Sequence, residues 1–439
     1  MMKSFLLGCI AAATTACNVK NDKCTKGDVD FETIGYIHYR TPAYAHLDNV
    51  NGEDVMLISE FNGSPWRWGS VAIAEGIKEQ VQNGSVDIKA TKLSPDPWKF
   101  ENPNNSNIVP SSVFSGETVF CVPDGFSIPG HRDGGVYLLV MDSSDLTVVK
   151  KAIRITRFIE KTKYQTGHWI DLNNDGFDDL LIARSTNEDF TGELMWLENP
   201  GATALDGQEW TEHKITDGPD VYTTINELPE YPNEVVVWAA YDTEVAVIRV
   251  SKTDGSLVEK RVIDNDTIML GGVKVSRAYA LTMVDLNGDG SRQLIYNNWI
   301  QDTSLNGYWI YKVPADIMAG TYEKIPLKTG FPMAWKYTFT AISGPGYPFL
   351  FYPDGNTSTR AHILMCGHGN EKLWLATPVG NAADFEYQFD EILDANAVIP
   401  YLQLADLDGD GYPEIYMNSY QKGFVQVIRT SPASNYGTL

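Results

Sequence analysis

Asp406-Leu-Asp408-Gly-Asp410-Gly411-Tyr412-Pro-Glu414 places carboxylates at positions 1, 3, 5 and 9 of a nine-residue loop, with glycine at position 6. Hard cations such as Ca²⁺ take six to eight oxygens, which closely spaced carboxylates supply. In this pattern positions 1, 3 and 5 point inward, the glycine permits the sharp turn, position 7 offers its backbone carbonyl and position 9 closes the shell. The pattern recurs twice. One copy places Asp171, Asn173, Asp175, Phe177 and Asp179 at the ligand positions; the other places Asp285, Asn287, Asp289, Ser291 and Gln293 there. In the Asp406 loop Tyr412 is the residue that offers its carbonyl at position 7. An EF-hand shares this opening but needs Glu at position 12 and a flanking helix on each side. Position 12 is Ile182, Tyr296 or Met417, and each loop lies between short apolar runs such as Trp169-Ile170 and Leu180-Leu181-Ile182-Ala183. Each loop therefore reads as the tip of a β-hairpin.

Asp-x-Asp/Asn-x-Asp-Gly-x-x-Asp/Glu inside a hairpin resembles the FG-GAP/VCBS repeats, the calcium-loop β-propellers of integrin α-subunit heads and many secreted proteins. Trp196-Leu-Glu-Asn-Pro-Gly201, closing a strand, resembles the same family. The resemblance implies a propeller with Ca²⁺ as its cofactor. The second loop departs from the motif, because Gln293 stands where an acidic residue is expected. Counting carboxylates ranks the expected affinities: the Asp406 loop first, the Asp171 loop next, the Asp285 loop last.

Loop spacing gives the blade count. The steps from Asp171 to Asp285 (114 residues) and from Asp285 to Asp406 (121 residues) are each twice a period of about 57 to 61. A blade without a metal loop thus lies between each pair. A further step back reaches Asp48, in a shortened copy of the loop expected to hold no metal. Seven blades are predicted, beginning near residues 41, 108, 166, 221, 279, 338 and 399. Runs such as Val136-Tyr-Leu-Leu-Val and Val245-Ala-Val-Ile-Arg-Val supply third strands. The last blade runs out after Ile428, while Phe31-Glu-Thr-Ile-Gly-Tyr-Ile-His-Tyr39 is left over at the front. We expect that strand to complete the seventh blade, which removes exposed sheet edges. The fold class is therefore all-β: a seven-bladed propeller with calcium-binding hairpin loops, closed by an N-terminal strand.

The 439 residues carry a formal net charge of −23, which disfavours phosphate backbones and anionic membranes as partners. Met1 to Ala16 reads as a secretory signal peptide, residues 17–29 as a linker and 30–439 as the propeller. Its apolar run is too short to span a bilayer. A secreted, monomeric protein is expected; Thr-Thr-Ala-Cys17 also resembles a bacterial lipoprotein site, leaving a lipid on Cys17 as an alternative. Cys17 and Cys24 are close enough to pair, whereas Cys121 and Cys366 read as buried free thiols.

Strand parity puts all three metal loops on one face and the second-to-third loops on the other. Those opposite-face segments carry Trp66, Trp98, His131, Arg132, Asp133, Trp299 and His368. Aromatic rings beside polar groups suit a sugar, so a carbohydrate or glycoprotein partner is expected there. Packing as lids over neighbouring blades is the competing reading for Trp66 and Trp98. An enzyme acting on sugars, such as a polysaccharide lyase or an aldos-2-ulose dehydratase-like protein, is a second possibility. It would use His131, Arg132 and His368 as base or charge stabilisers. A purely interacting, integrin-like ectodomain is a third. His168 is expected to be a packed, hydrogen-bonded side chain.

Overall fold

The computed structural model describes residues 24–61, 68–93, 99–114, 116–125, 134–186, 192–218, 222–241, 244–265, 269–270, 273–274, 278–298, 304, 306–331 and 345–433. Seven antiparallel sheets form a β-propeller. Their innermost strands are Pro42–Val50, Asn107–Ile108, Thr162–Ile170, Tyr222–Asn226, Ala278–Val284, Pro348–Phe351 and Leu402–Ala405. Six sheets run inside to outside in chain order. Blade 3, for example, continues through Asp179–Thr186, Gly192–Glu198 and Thr211–Asp217. The innermost strand described for the sixth blade is Pro348–Phe351, and the expected start near 338 lies outside the described residues.

Burial explains why the second and third strands read as unbroken apolar runs. Each blade is covered on both faces by its neighbours, so both sets of alternating side chains are core. In the second strand of blade 1, Val55 and Leu57 pack toward blade 2, and Met56 and Ile58 pack toward blade 7. In blade 4, Val235 and Val237 face blade 3, while Val236 and Trp238 face blade 5. All eight are at most 1% exposed.

The ring closes as the sequence suggests. Val29–His38 pairs antiparallel with Phe424–Pro432, with Val29 opposite Pro432 and His38 opposite Phe424. Two additions were not foreseen. Cys24–Lys26 pairs with the outer edge of the closing strand at Val29 to Phe31. An insertion between the third and fourth strands of blade 1 holds the helix Ile77–Gln82 and the strand Val86–Lys89. That strand runs parallel to the closing strand from Gly35 to His38. Gly35 has φ of 152°, and a Cβ there would overlap the Val86 carbonyl, so the close approach requires glycine. Cys24 is disulfide-bonded, whereas Cys121 and Cys366 are free and buried. Cys17 lies outside the described residues.

Inter-blade contacts around the axis fall into two arcs. From blade 7 to blade 4 they are polar. The Gln403 amide exchanges hydrogen bonds with the Leu47 backbone at 3.2 and 3.1 Å. His46 Nε2 donates to Asn105 Oδ1 (2.8 Å), Asn105 Nδ2 to Thr166 Oγ1 (2.8 Å), and His168 Nε2 to the Thr223 carbonyl (2.9 Å). From blade 4 back to blade 1 they are aromatic. Tyr222, Tyr279, Tyr347, Tyr401 and Tyr44 form a chain of ring contacts, with centroids 4.8 to 5.6 Å apart for Tyr222–Tyr347, Tyr279–Tyr347, Tyr347–Tyr401 and Tyr401–Tyr44. The Tyr44 and Tyr222 hydroxyls, from blades 1 and 4, hydrogen-bond to each other across the axis and plug it.

Candidate metal centre

All three acidic loops connect a first to a second strand and share one face. Their turns are built alike. Position 1 caps the loop: Asp171, Asp285 and Asp406 accept through Oδ2 from the N–H of Gly176, Gly290 and Gly411 at 3.0, 2.7 and 3.0 Å. Position 5 accepts from the position-7 N–H in each loop, at 2.9, 2.8 and 2.8 Å. The position-6 glycines have φ of 89°, 81° and 91°, which an L side chain rarely adopts. Asp48 belongs to no such loop. Its strand runs on to Val50, and Asn51-Gly52, both at positive φ, make a two-residue hairpin turn.

Position 9 distinguishes the three. In every loop it accepts from the position-2 N–H: Asp179 from Leu172 (3.0 Å), Gln293 from Leu286 (2.8 Å) and Glu414 from Leu407 (3.0 Å). The job is structural and a neutral amide performs it, which explains how Gln293 fits the motif. What differs is the second polar atom. Asp179 Oδ1 accepts from Asn199 N–H (2.8 Å), and Gln293 Nε2 donates to Ser291 Oγ (2.7 Å). Glu414 Oε1 is buried without a partner, on a side chain with no solvent exposure.

The Glu414 carboxylate lies among other carboxylates. Asp406, Asp408 and Glu414 each offer an oxygen within 4.8 Å of the others, and among the described residues this is the one such acidic group. The spacing lets one hard cation touch all three. Burial, with Asp408, Asp406 and Asp410 nearby, pushes the Glu414 carboxyl up to about 7; burial also raises Asp179 to about 6. Asp410 lies outside the trio and accepts from Tyr412 N–H instead, so three of its four expected carboxylates converge. In the Asp285 loop, Asn287 Oδ1 is likewise buried without a partner. In the Asp171 loop, Asn173 Nδ2 donates to Asp175 Oδ2 at 2.9 Å.

Of the residues expected on the opposite face, Trp66, Trp98, His131, Arg132, Asp133 and Trp299 lie outside the described residues. His368 is half-buried against Tyr279, with ring centroids 6.1 Å apart. Its Nδ1 is buried and unpartnered, and burial pushes its pKa down to about 4, so the ring is neutral at pH 7. A neutral imidazole suits a base and not a charge stabiliser. The tyrosine plug draws on five blades, so no local motif announced it. Trp68 is half exposed.

No family profile matches this chain, and no curated protein matches it. Among solved structures it is similar to the Dos1 propeller, at 9% identity and a TM-score of 0.49, covering 91% of this chain and 95% of that one. It is similar to the hydrazine synthase of Kuenenia stuttgartiensis at 12% and 0.45, covering 97% and 100%. Similarity to the Trypanosoma rangeli sialidase in complex with sialic acid is 9% and 0.42, covering 91% and 57%. None of these likenesses bears on what the chain binds. The fold rests on the strand pairing described above.

Proposed function

We propose that this protein is a secreted, calcium-stabilised propeller of the FG-GAP/VCBS kind that binds a carbohydrate or glycoprotein on the face opposite its metal loops. The metal half of the proposal rests on one observation: Asp406, Asp408 and Glu414 bring carboxylate oxygens together, and Glu414 also carries a buried oxygen that has no partner. Such an oxygen is costly unless a cation or donor meets it. Asp406, Asp408 and Glu414 would hold Ca²⁺, which neutralises their mutual repulsion and fixes the hairpin tip.

The ligand half rests on the shape of the other face. The tyrosine plug gives it a closed aromatic floor instead of an open bore. Rings with hydroxyls and a neutral imidazole at the floor suit the flat apolar face and the hydroxyls of a sugar. The Cys24 disulfide fits an oxidising, extracellular setting.

A glycan array probed with the Ca²⁺-loaded protein tests the ligand, and calorimetric Ca²⁺ titration tests the metal. Binding of a defined glycan class, lost in chelator or on His368→Ala, is the expected result. An empty array overturns the carbohydrate reading. Appearance of unsaturated uronate absorbance from a bound polysaccharide would move the protein to the lyases.

A further inference from the structure

Among the described residues, the Asp406 loop is the one of the three whose carboxylates pair with an arginine. Arg429, on the third strand of blade 7, places Nη2 3.2 Å from Asp408 Oδ2. The same nitrogen donates to the Val81 carbonyl at 2.7 Å, near the end of the short helix inserted in blade 1. Arg429 Nε is buried and has no hydrogen-bond partner. The guanidinium thus joins a metal loop of the last blade to an insertion of the first.

Asp408 has both oxygens engaged. Oδ1 accepts from Asp410 N–H at 3.2 Å, a bond that belongs to the turn itself. Oδ2 is held by Arg429. Oδ2 is the Asp408 oxygen that the turn leaves free, so a cation that takes it must displace the guanidinium or share it, and one that takes Oδ1 still shares the carboxylate with Arg429 against like-charge repulsion. In the other two loops position 3 is the neutral Asn173 or Asn287.

We propose that Arg429 is an internal cation competing for this metal loop, so that Ca²⁺ binding and the grip of Arg429 on the blade 1 insertion are coupled. The proposal rests on the calcium reading above. Arg429 lowers the affinity of the loop with the most carboxylates, compressing the order that carboxylate count alone gives. By linkage, Ca²⁺ loosens the contact with Val81 by the same factor.

The test is Ca²⁺ calorimetry on the full chain carrying Asp171→Asn and Asp285→Asn, which silence the other two loops. Adding Arg429→Met should tighten Ca²⁺ binding about tenfold, or about 1.4 kcal/mol. Arg429→Lys, which keeps the charge, should stay within about twofold of its parent. Hydrogen exchange over residues 77–89 should quicken with Ca²⁺ in the parent and not respond in Arg429→Met. A parent that binds no Ca²⁺ overturns the calcium reading and this proposal with it. A parent that binds, with Arg429→Met equal or weaker, overturns the role of Arg429 alone.

Discussion

Replacing Glu414 by glutamine should make the protein more stable in chelator and less responsive to Ca²⁺. Glutamine can keep the bond from Leu407 N–H, as Gln293 does from Leu286 at 2.8 Å. What it removes is the charge on a carboxylate whose Oε1 is buried and unpartnered. Leaving a buried polar group unsatisfied costs about 1–3 kcal/mol, more for a charged one. The sign with pH follows from the upward shift of this carboxyl from an ordinary 4.5 to about 7. A group raised in the native state is not penalised below about 4.5 and is fully penalised once pH exceeds about 7, so the assay belongs at pH 8. With about 2.1 cal/mol/K of unfolding entropy per residue, a chain of this length shifts its midpoint by about 1 °C per kcal/mol. Glu414→Gln should therefore melt about 1–3 °C above wild type in chelator. At a hundredfold excess over its dissociation constant, Ca²⁺ adds about 2.7 kcal/mol to wild type, or about 3 °C, and much less to the variant. The two proteins should exchange order on adding Ca²⁺, as read by scanning calorimetry. A variant that melts below wild type in chelator would refute the burden assigned to Glu414 Oε1. One with an undiminished Ca²⁺ response would refute the site.

Three further outcomes are expected. His168 is held at about 4 by burial, so its contribution is complete above about 6.5 and is lost as pH falls toward 4; the unfolding free energy of wild type relative to His168→Gln, from urea titration, should fall by about 1–3 kcal/mol over that window, and parallel profiles would refute this. Tyr44→Ala should cost about 3–5 kcal/mol by emptying the plug and Tyr44→Phe only about 1, so equal losses in denaturant titration would show that the hydroxyl pair outweighs the packing. Deleting residues 30–40 should leave the last blade with an open edge and drive aggregation, and a monodisperse product with unchanged melting would show that this strand does not close the ring.

The blade count was legible because the acidic loops recur at twice the blade period and need specific residues at fixed offsets. Leu194-Met-Trp-Leu and its counterparts were legible as third strands because both faces of a blade are buried. The leftover Phe31–Tyr39 stretch was legible because the last blade visibly lacked a strand. The blade 1 insertion was not, since a helix of six residues is too short to show a helical period. At the candidate site, the sequence named the carboxylates but not their division of labour. Position 9 looks like a ligand in all three loops, yet its first duty is to the position-2 N–H. Arg429 lies 21 residues beyond Asp408, and only the pairing of strands brings them together.

The closing strand also sets a timetable. Val29–His38 leaves the ribosome before its partner Phe424–Pro432, which comes nearly 400 residues later. At about 5–20 residues per second, that is a wait of roughly 20–80 seconds. The outer edge need not wait. Cys24–Lys26 is adjacent in the chain, and Val86–Lys89 follows about 50 residues behind Gly35–His38. These two short strands can shelter one side of the nascent segment long before the ring exists, leaving only the other side to be guarded until Phe424–Pro432 emerges.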